Sequence, residues 1–188
     1  MPLPSALPVR HGAVLAGGAR PQGGRLRPPG LLPPVLTPGG DPMIRRILHP
    51  SDFSTASTRA FRKAIEMAKA SRAELLIVHV LNPIMPVPGD AYIPPKVYDD
   101  LAASARAWAQ KQLDKLLARA KTAGVRAKGF LLEGVAHEQI VRFARSKRAD
   151  LVVMGTHGRS GLAKLVLGSV AERVIGAAPC PVVTVRGK

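Results

Sequence analysis

The sequence predicts an α/β domain with a doubly wound, five-stranded parallel sheet in the order 3-2-1-4-5. Strands and helices alternate strictly from Met43 onward. The strands are continuous apolar runs, which is typical of strands that are covered on both faces in a parallel sheet. A glycine-rich segment follows one of these strands, and ligands of doubly wound sheets bind at the carboxyl ends of the strands. Right-handed crossovers then place helices on both faces, two on each.

The period of the apolar residues sets each element in turn. Short apolar runs predict strands at 44–48, 74–81, 125–132, 150–154 and 181–186. A 3.6-residue period predicts helices at 55–70, 98–123, 136–147 and 169–177. Ser54 is the predicted N-cap of the first helix, and Gly124 ends the second. The predicted inward-facing residues are Phe61, Ala64, Ile65 and Ala68; Leu101, Ala105, Trp108, Leu113, Leu116, Leu117 and Ala120; Ile140, Val141 and Ala144; and Val170, Ala171 and Val174.

Two segments stand outside this pattern. Residues 1–42 hold ten prolines and eight glycines and cannot bury enough apolar surface to offset the entropy of ordering. We expect either a disordered tail or an over-extended start before a natural first residue at Met43, with the domain spanning 43–188. The stretch 82–95 carries five prolines and is predicted to be a loop.

Composition limits the class of protein. The chain has 188 residues, enough for one domain, and 46% of them are hydrophobic although only 4% are aromatic. No apolar run approaches the length of a membrane span. The single Cys180 excludes an internal disulfide, suits a reducing cytoplasm and is expected to be a small core residue.

The formal net charge is +16, which favours anionic partners in general. The basic residues are spread along the whole chain, few aromatics lie among them, and no helix-turn-helix or RNP-like signature is present. We therefore expect solvated helix faces, with nucleic acid an unlikely partner.

The segment that carries chemistry is Gly155-Thr156-His157-Gly158, followed after nine residues by Gly168-Ser169-Val170. Glycines let backbone N–H groups approach a phosphate, and a helix N-terminus adds aligned donors. Asp52 follows the first predicted strand and Val80 ends the second, so both meet the glycine segment at one edge of the sheet. This pattern indicates a phosphate cradle for a nucleotide.

With these motifs the chain resembles the ATP-binding branch of the universal stress protein family. The resemblance covers 43–188 and includes the blocks 47–54, 76–80 and 155–170. It implies the adenine nucleotide alpha hydrolase-like fold, ATP as ligand with Mg²⁺ or Mn²⁺ held through the phosphates, and a homodimer paired through the last strand. The nucleotide-binding residues that it implies are Pro50, Ser51, Asp52, Val80, Gly155, Thr156, His157, Gly158, Arg159, Ser160, Gly161, Gly168, Ser169 and Val170.

Simpler interpretations stay open for several of these residues. Asp52 could cap the first helix, the glycines could only form a turn, and Ser169 is a suitable N-cap with or without a phosphate. His49 and His79 are expected to be strand residues with satisfied rings. The stretch 133–138 is expected to start the third helix and not to hold a metal.

No P-loop, nucleophile elbow or catalytic carboxylate pair is present in the sequence, and His157 has no visible partner for general-base work. We expect a stress-response sensor or switch with at most slow ATP hydrolysis. The alternatives are a module of the same fold that works through protein partners without ATP, a slow ATPase, and a nucleic-acid binder driven by the charge of +16.

Overall fold

The computed structural model describes residues 43–83, 94–156 and 167–186. In chain order the elements are β1 (Arg46–Pro50), α1 (Thr55–Ser71), β2 (Glu74–Leu81), α2 (Pro95–Thr122), β3 (Ala127–Glu133), α3 (Ala136–Ser146), β4 (Leu151–Gly155), α4 (Ser169–Ala177) and β5 (Val182–Val185). The expectations for 1–42, for most of the loop 82–95 and for the centre of the glycine segment lie outside the described residues.

The sheet has five parallel strands in the order β3-β2-β1-β4-β5, which confirms the predicted order. β1 is central, with β2 paired along its whole length from Arg46↔Glu74 to Pro50↔Val78. β4 pairs with the other side of β1 through Ile47↔Leu151 and Leu48↔Val152. The winding direction therefore reverses between β1 and β4, and the carboxyl ends of these two strands form the switch point where a cleft opens.

Two apolar layers separate the sheet from its helices. α1 and α2 cover one face through Phe61, Ala64, Ala68, Leu113, Leu116 and Ala120. α3 and α4 cover the other through Ile140, Val141, Phe143, Ala144, Ala171 and Val174. Two helices on each face confirm the predicted architecture, and the aliphatic strand residues between the layers explain why few aromatics are needed.

Three residues that were predicted to face inward are exposed instead. Leu101 and Trp108 on α2 are 54% and 47% exposed, and Val170 on α4 is 37% exposed. α2 has 28 residues and is about 42 Å long, whereas the eight-residue β2 spans only about 26 Å. The amino-terminal half of α2 thus extends past the strands, and its fully buried residues begin at Ala109.

The helix caps follow the sequence at two positions and differ at a third. Ser54 is the N-cap of α1, and its hydroxyl accepts from the Ser57 N–H at 3.2 Å. Gly124 follows α2 with φ +75°, a conformation that glycine adopts without strain. The N-cap of α4 is Gly168, so Ser169 is the first helical residue and not the cap.

The strand bounds shift slightly from those predicted. β1 runs two residues later than 44–48, and β3 begins at Ala127 and continues to Glu133. The sequence prediction follows the apolar residues, which lie in the buried part of each strand. The strand ends in the structure are set by hydrogen bonding to the neighbouring strands, so the two sets of bounds differ. β2 and α4 have the predicted bounds.

Candidate functional site

A cleft of about 370 Å³ opens at the carboxyl ends of β1, β2 and β4, beside the first turns of α3 and α4. Nine of the fourteen predicted site residues lie in the described part of the chain, and all nine line this cleft. They are Pro50, Ser51, Asp52, Val80, Gly155, Thr156, Gly168, Ser169 and Val170. The other five, His157, Gly158, Arg159, Ser160 and Gly161, lie outside the described residues.

The turn between β1 and α1 is fixed by a chain of local hydrogen bonds. The Ser51 N–H donates to the Val78 carbonyl at 2.8 Å, which extends the β1–β2 ladder by one bond. The Asp52 carboxylate accepts from the Ser54 N–H at 3.0 Å, in an Asx turn just before the helix N-cap. The Ser51 and Ser57 hydroxyls are 2.8 Å apart and hydrogen-bonded. Asp52 therefore shapes the entry to α1 while it lines the cleft.

Phe53 and His79 hold this turn from the other side. Phe53 has φ +63°, a left-handed conformation that non-glycine residues rarely adopt. Its ring lies on the His79 ring with centroids 4.4 Å apart, and the His79 Nδ1–H donates to the Ser51 carbonyl at 2.7 Å. His79 is thus a strand residue with a satisfied ring, as predicted, and it also supports the turn that carries Asp52.

The end of β2 presents backbone groups toward the cleft. In a parallel ladder the N–H and C=O of one residue point to the same side, and residues two apart share that side. The Val78 carbonyl faces β1, so the N–H and C=O of Val80 face the same way. Because the β1–β2 pairing ends at Pro50↔Val78, Val80 lies beyond the end of β1, at the cleft wall.

The two ends of the glycine segment meet at one point. The Gly168 N–H donates to the Thr156 carbonyl at 2.8 Å, and the Thr156 N–H donates to the Val185 carbonyl at 3.0 Å. α4 therefore begins directly beside the end of β4. Among the described residues no side chain caps its first turn, and its first intrahelical donor is the Glu172 N–H.

The N–H groups of Ser169, Val170 and Ala171 consequently have no intrahelical acceptor, and all three residues line the cleft. Such a turn is a ready site for an anion, because donors without an intrahelical acceptor and the positive end of the helix dipole coincide.

Two side chains in the described part of the chain, His49 and Cys180, have pKa values that differ from their ordinary ones. Burial lowers the pKa of His49 to about 4, opposed by its hydrogen bond to Val153 and by the Asp52 charge. Its Nδ1–H donates to the Val153 carbonyl at 2.9 Å, but its Nε2 is buried with no hydrogen-bond partner in the described part of the chain. The expectation of a satisfied ring was therefore wrong for His49, because apolar strand residues and the Phe61 ring surround it. Burial, with the Asp150 charge as a smaller cause, raises the pKa of Cys180 to about 11, so this partly buried thiol stays protonated.

Within 43–83, 94–156 and 167–186, no group of three or more His, Cys, Asp and Glu side chains could hold a metal. Glu133 forms an ion pair with Arg106, and Glu138 lies in the first turn of α3. In the same ranges no helix is both long and apolar enough to cross a membrane.

Sequence reasoning did not identify several other residues of the cleft wall. Met154 and Ala171 directly adjoin predicted site residues, Val78 lies two residues before Val80, and Ser57 lies five residues after Asp52, so wider windows around the motifs would have included them. Ala136 and Ile140 come from α3, whose position beside α4 depends on the three-dimensional crossover. No local sequence signal marks those two.

The chain matches the model of the universal stress protein family over residues 43–186. It is 37% identical over 149 residues to the universal stress protein MJ0531 of Methanocaldococcus jannaschii, an alignment that covers 78% of this chain and 85% of that protein.

Solved structures give the same result. The structure of the protein MJ0577 superposes with a TM-score of 0.67 at 25% identity, covering 78% of this chain and 98% of the other. A universal stress protein solved in complex with cAMP superposes with a TM-score of 0.59 at 26% identity, covering 78% and 99%. The residues matched by the family model, 43–186, include every residue that lines the cleft.

Proposed function

The chain belongs to the universal stress protein family, and on that premise we propose that it binds an adenine nucleotide, ATP first of all, as a stress-response sensor or switch. One observation carries the proposal. Nine residues that were selected from sequence motifs in three separate parts of the chain line a single cleft. A relative in complex with cAMP supports an adenine nucleotide as the class of ligand.

The adenine ring would lie against the ends of β1 and β2. Adenine offers a donor at its amino group and an acceptor at the adjacent ring nitrogen, a pattern that one exposed strand edge can match. In the proposed pose the Val80 carbonyl and N–H supply that edge, and Pro50 contributes apolar contact. Guanine reverses this donor–acceptor pattern at the same positions, so the strand edge would disfavour it.

The ribose and phosphates would occupy the rest of the cleft. Asp52, which lines the cleft, would accept from a ribose hydroxyl. The N–H groups of Ser169, Val170 and Ala171 would bind phosphate oxygens, together with the glycine segment 155–161. Mg²⁺ or Mn²⁺ would be held mainly by the phosphates, as is usual for such ions with few protein ligands.

A switch is favoured over an efficient enzyme. Among the described residues that line the cleft, Asp52 and His79 are the titratable groups, and both already hold the turn after β1. Hydrolysis would then depend on water and phosphate-bound metal without a dedicated base, and we expect it to be slow. The single cysteine fits a reducing compartment, and the cytoplasm is part of this proposal.

The test is nucleotide-dependent thermal stability. A ligand selective for the folded state adds RT ln(1 + [L]/Kd), about 2.7 kcal/mol at a hundredfold excess over Kd. We expect ATP with Mg²⁺ to raise the melting temperature by several degrees and GTP to raise it much less. Folded protein with no shift at millimolar ATP would overturn ATP binding and favour the protein-partner alternative.

Ser169→Asp is the variant that separates binding from folding. A carboxylate in the first turn of α4 stabilises the helix by roughly 0.3–1 kcal/mol, yet it occupies and repels the phosphate position. The apo melting temperature should hold or rise while the ATP shift disappears. Ser169→Asn, neutral and of the same shape, should keep most of the shift. Equal shifts for both variants would place the phosphates elsewhere.

A homodimer through β5 is the second part of the proposal. β5 lies at one end of the sheet order, and an edge strand is able to pair with a second copy. Val183 packs against the core, so a lysine there would disturb the fold as well as an interface. The better position is Thr184, which is exposed.

The Pro181 carbonyl accepts from the Val152 N–H of β4, and the Val185 carbonyl accepts from the N–H of Thr156, directly after β4. Backbone groups of successive strand residues point to alternate sides, so the Thr184 N–H points away from β4. Thr184→Pro should therefore leave the domain folded and shift a dimer to monomer in light scattering, whereas Thr184→Val should leave the dimer unchanged. A proline variant that remains dimeric would assign the interface to another surface.

A further inference from the structure

The edge of the sheet opposite the cleft carries a strong excess of basic side chains. We call this surface the basic edge and define it by ten residues at the amino ends of β1 to β4 and the carboxyl ends of α1, α2 and α3. They are Arg45, Arg46, Lys69, Arg72, Lys121, Arg126, Lys128, Arg145, Lys147 and Arg148, and all ten are exposed. In the sequence these cations look scattered, but the fold collects them.

Hydrogen bonds between the connecting segments show that the basic edge is continuous. The Glu74 N–H donates to the Arg45 carbonyl, and the Arg126 guanidinium donates to the Arg72 carbonyl. On the other side of β1, the Arg46 guanidinium donates to the Lys147 carbonyl at 2.8 Å. The segments before β1, β2, β3 and β4 therefore form one surface.

Local neutralisation does not account for this excess. Two carboxylates of the described residues lie at the basic edge: Glu74 pairs with Lys128 at 2.8 Å, and Asp150 accepts from the backbone N–H groups of Arg45 and Arg46. Three helix C-termini add roughly −0.5 charge each. Together these negative groups offset fewer than half of the ten positive charges. One or two basic residues at each helix C-terminus would be enough to compensate the helix dipoles, so the remaining cations need another explanation.

We propose that the basic edge binds the phosphate backbone of a nucleic-acid duplex without reading its sequence. Six of the ten cations are arginines, whose planar guanidinium groups match phosphate oxygens in pairs. Among the described aromatic residues only Trp108 is exposed, and it lies in the middle of α2, roughly 20 Å from the helix end. The basic edge thus offers charge without a platform for stacking unpaired bases.

The dimensions and the chemistry favour a duplex over an anionic membrane. From β3 to β4 the basic edge spans three strand intervals, about 14 Å, comparable with the width of a major groove between phosphate strands. Of the large apolar side chains that are exposed in the described residues, Met43 lies next to the basic edge and Ile175 lies in the last turn of α4, outside it. A membrane-binding surface would normally add several apolar anchors to its basic residues.

The test compares two variants that lose equal charge in the full-length protein. The edge variant carries Lys69→Gln, Arg72→Gln and Arg148→Gln. The control variant carries Lys96→Gln, Lys111→Gln and Lys115→Gln on the exposed surface of α2. Both keep residues 1–42, so any contribution of that segment is the same in each. Equal melting temperatures by circular dichroism establish that both are folded.

Binding is measured by anisotropy on a mixed-sequence DNA duplex of roughly two helical turns, at salt from about 50 to 200 mM. Each phosphate contact contributes about −0.9 to the slope of log K against log salt, so the edge variant should lose about 2 to 3 units of slope. Its affinity should fall at least about tenfold at 100 mM salt while the control variant stays within about twofold of the wild type.

Several results would overturn the proposal. Equal weakening of both variants would mean that net charge alone drives binding, and no binding of the wild type would leave the basic edge without this partner. Preference for vesicles of phosphatidylserine and phosphatidylcholine over the duplex would assign the basic edge to membranes. Competition by ATP would locate the duplex in the cleft, whereas independence from ATP is expected because the two sites lie at opposite ends of the strands.

Discussion

The two edges of the sheet present anion-binding groups of different kinds. At the carboxyl edge the donors are backbone N–H groups in a cleft, such as those at the start of α4. At the amino edge they are ten exposed side chains on long flexible stems. This contrast follows from helix polarity, since helix N-termini meet at one edge and helix C-termini at the other.

The two edges therefore recognise anions in different ways, the cleft through its shape and the basic edge through its charge. Fixed backbone donors in a cleft can distinguish one nucleotide from another, because their geometry is set before the ligand arrives. Mobile cations on an exposed surface attract any polyanion and depend strongly on salt. The cleft is therefore the candidate for specificity, and the basic edge is the candidate for non-specific association.

The largest expected effect concerns acid stability near the carboxyl edge. His49 is fully buried with a pKa lowered to about 4 from 6.5, so the unfolded state binds its proton at higher pH than the folded state does. Stability is therefore retained above pH 6.5 and falls as the pH drops toward 4, by up to about 3 kcal/mol. Urea unfolding at several pH values measures this loss.

His49→Asn is the matched variant, since its amide can still donate to the Val153 carbonyl but does not titrate. The pH dependence between about 6.5 and 4 should flatten in this variant, whatever its stability at neutral pH. If the variant loses as much stability toward low pH as the wild type, and high salt abolishes that loss, then acid unfolding is caused by repulsion within the basic edge.

The second prediction concerns non-glycine residues in the left-handed backbone conformation, one at each edge of the sheet. Phe53 at the carboxyl edge and Arg148 at the amino edge have φ +63° and +50°. Phe53→Gly would relieve the left-handed strain but would lose the ring contacts with His79 and Trp108. We expect a net loss of about 2 kcal/mol in the free energy of unfolding, together with weaker ATP binding. A neutral result would show that these rings do not hold the turn.

The smallest effect is Arg148→Gly. The side chain is exposed, so glycine relieves the strain without loss of packing, partly offset by a more flexible unfolded chain. We expect stabilisation of about 0.5 kcal/mol, measured as a higher urea midpoint at unchanged slope. Destabilisation of the same size would show that the arginine itself stabilises the end of α3.

Local signals in the sequence predicted the fold well. Most of the inward helix faces, the Ser54 cap and the bounds of β2 and α4 followed from periodicity and from residues adjacent in the chain. The doubly wound strand order required the rule of right-handed crossovers as well. The exposure of Leu101 and Trp108 did not follow from these signals, because it depends on how far α2 extends past a sheet whose strand lengths are fixed by pairing. The helical period predicts the direction in which a side chain points, but it does not predict whether a strand lies opposite that side chain.

The site divides in the same way. The nine described residues that line the cleft were found because glycine spacing and strand ends are readable in short windows. Ala136 and Ile140 were missed because α3 reaches the cleft only through the crossover. The basic edge was missed for the same reason, since its ten residues come from four separate segments.

The position of Trp108 gives this protein an intrinsic spectroscopic reporter. It is the single tryptophan of the chain, and its indole meets the Phe53 ring edge-on with centroids 5.5 Å apart. Phe53 directly follows Asp52 in the turn at the cleft, and the indole is about half exposed, where emission responds to small changes in hydration. Rearrangement of that turn should alter tryptophan fluorescence, so occupancy of the cleft can be followed in real time without any label.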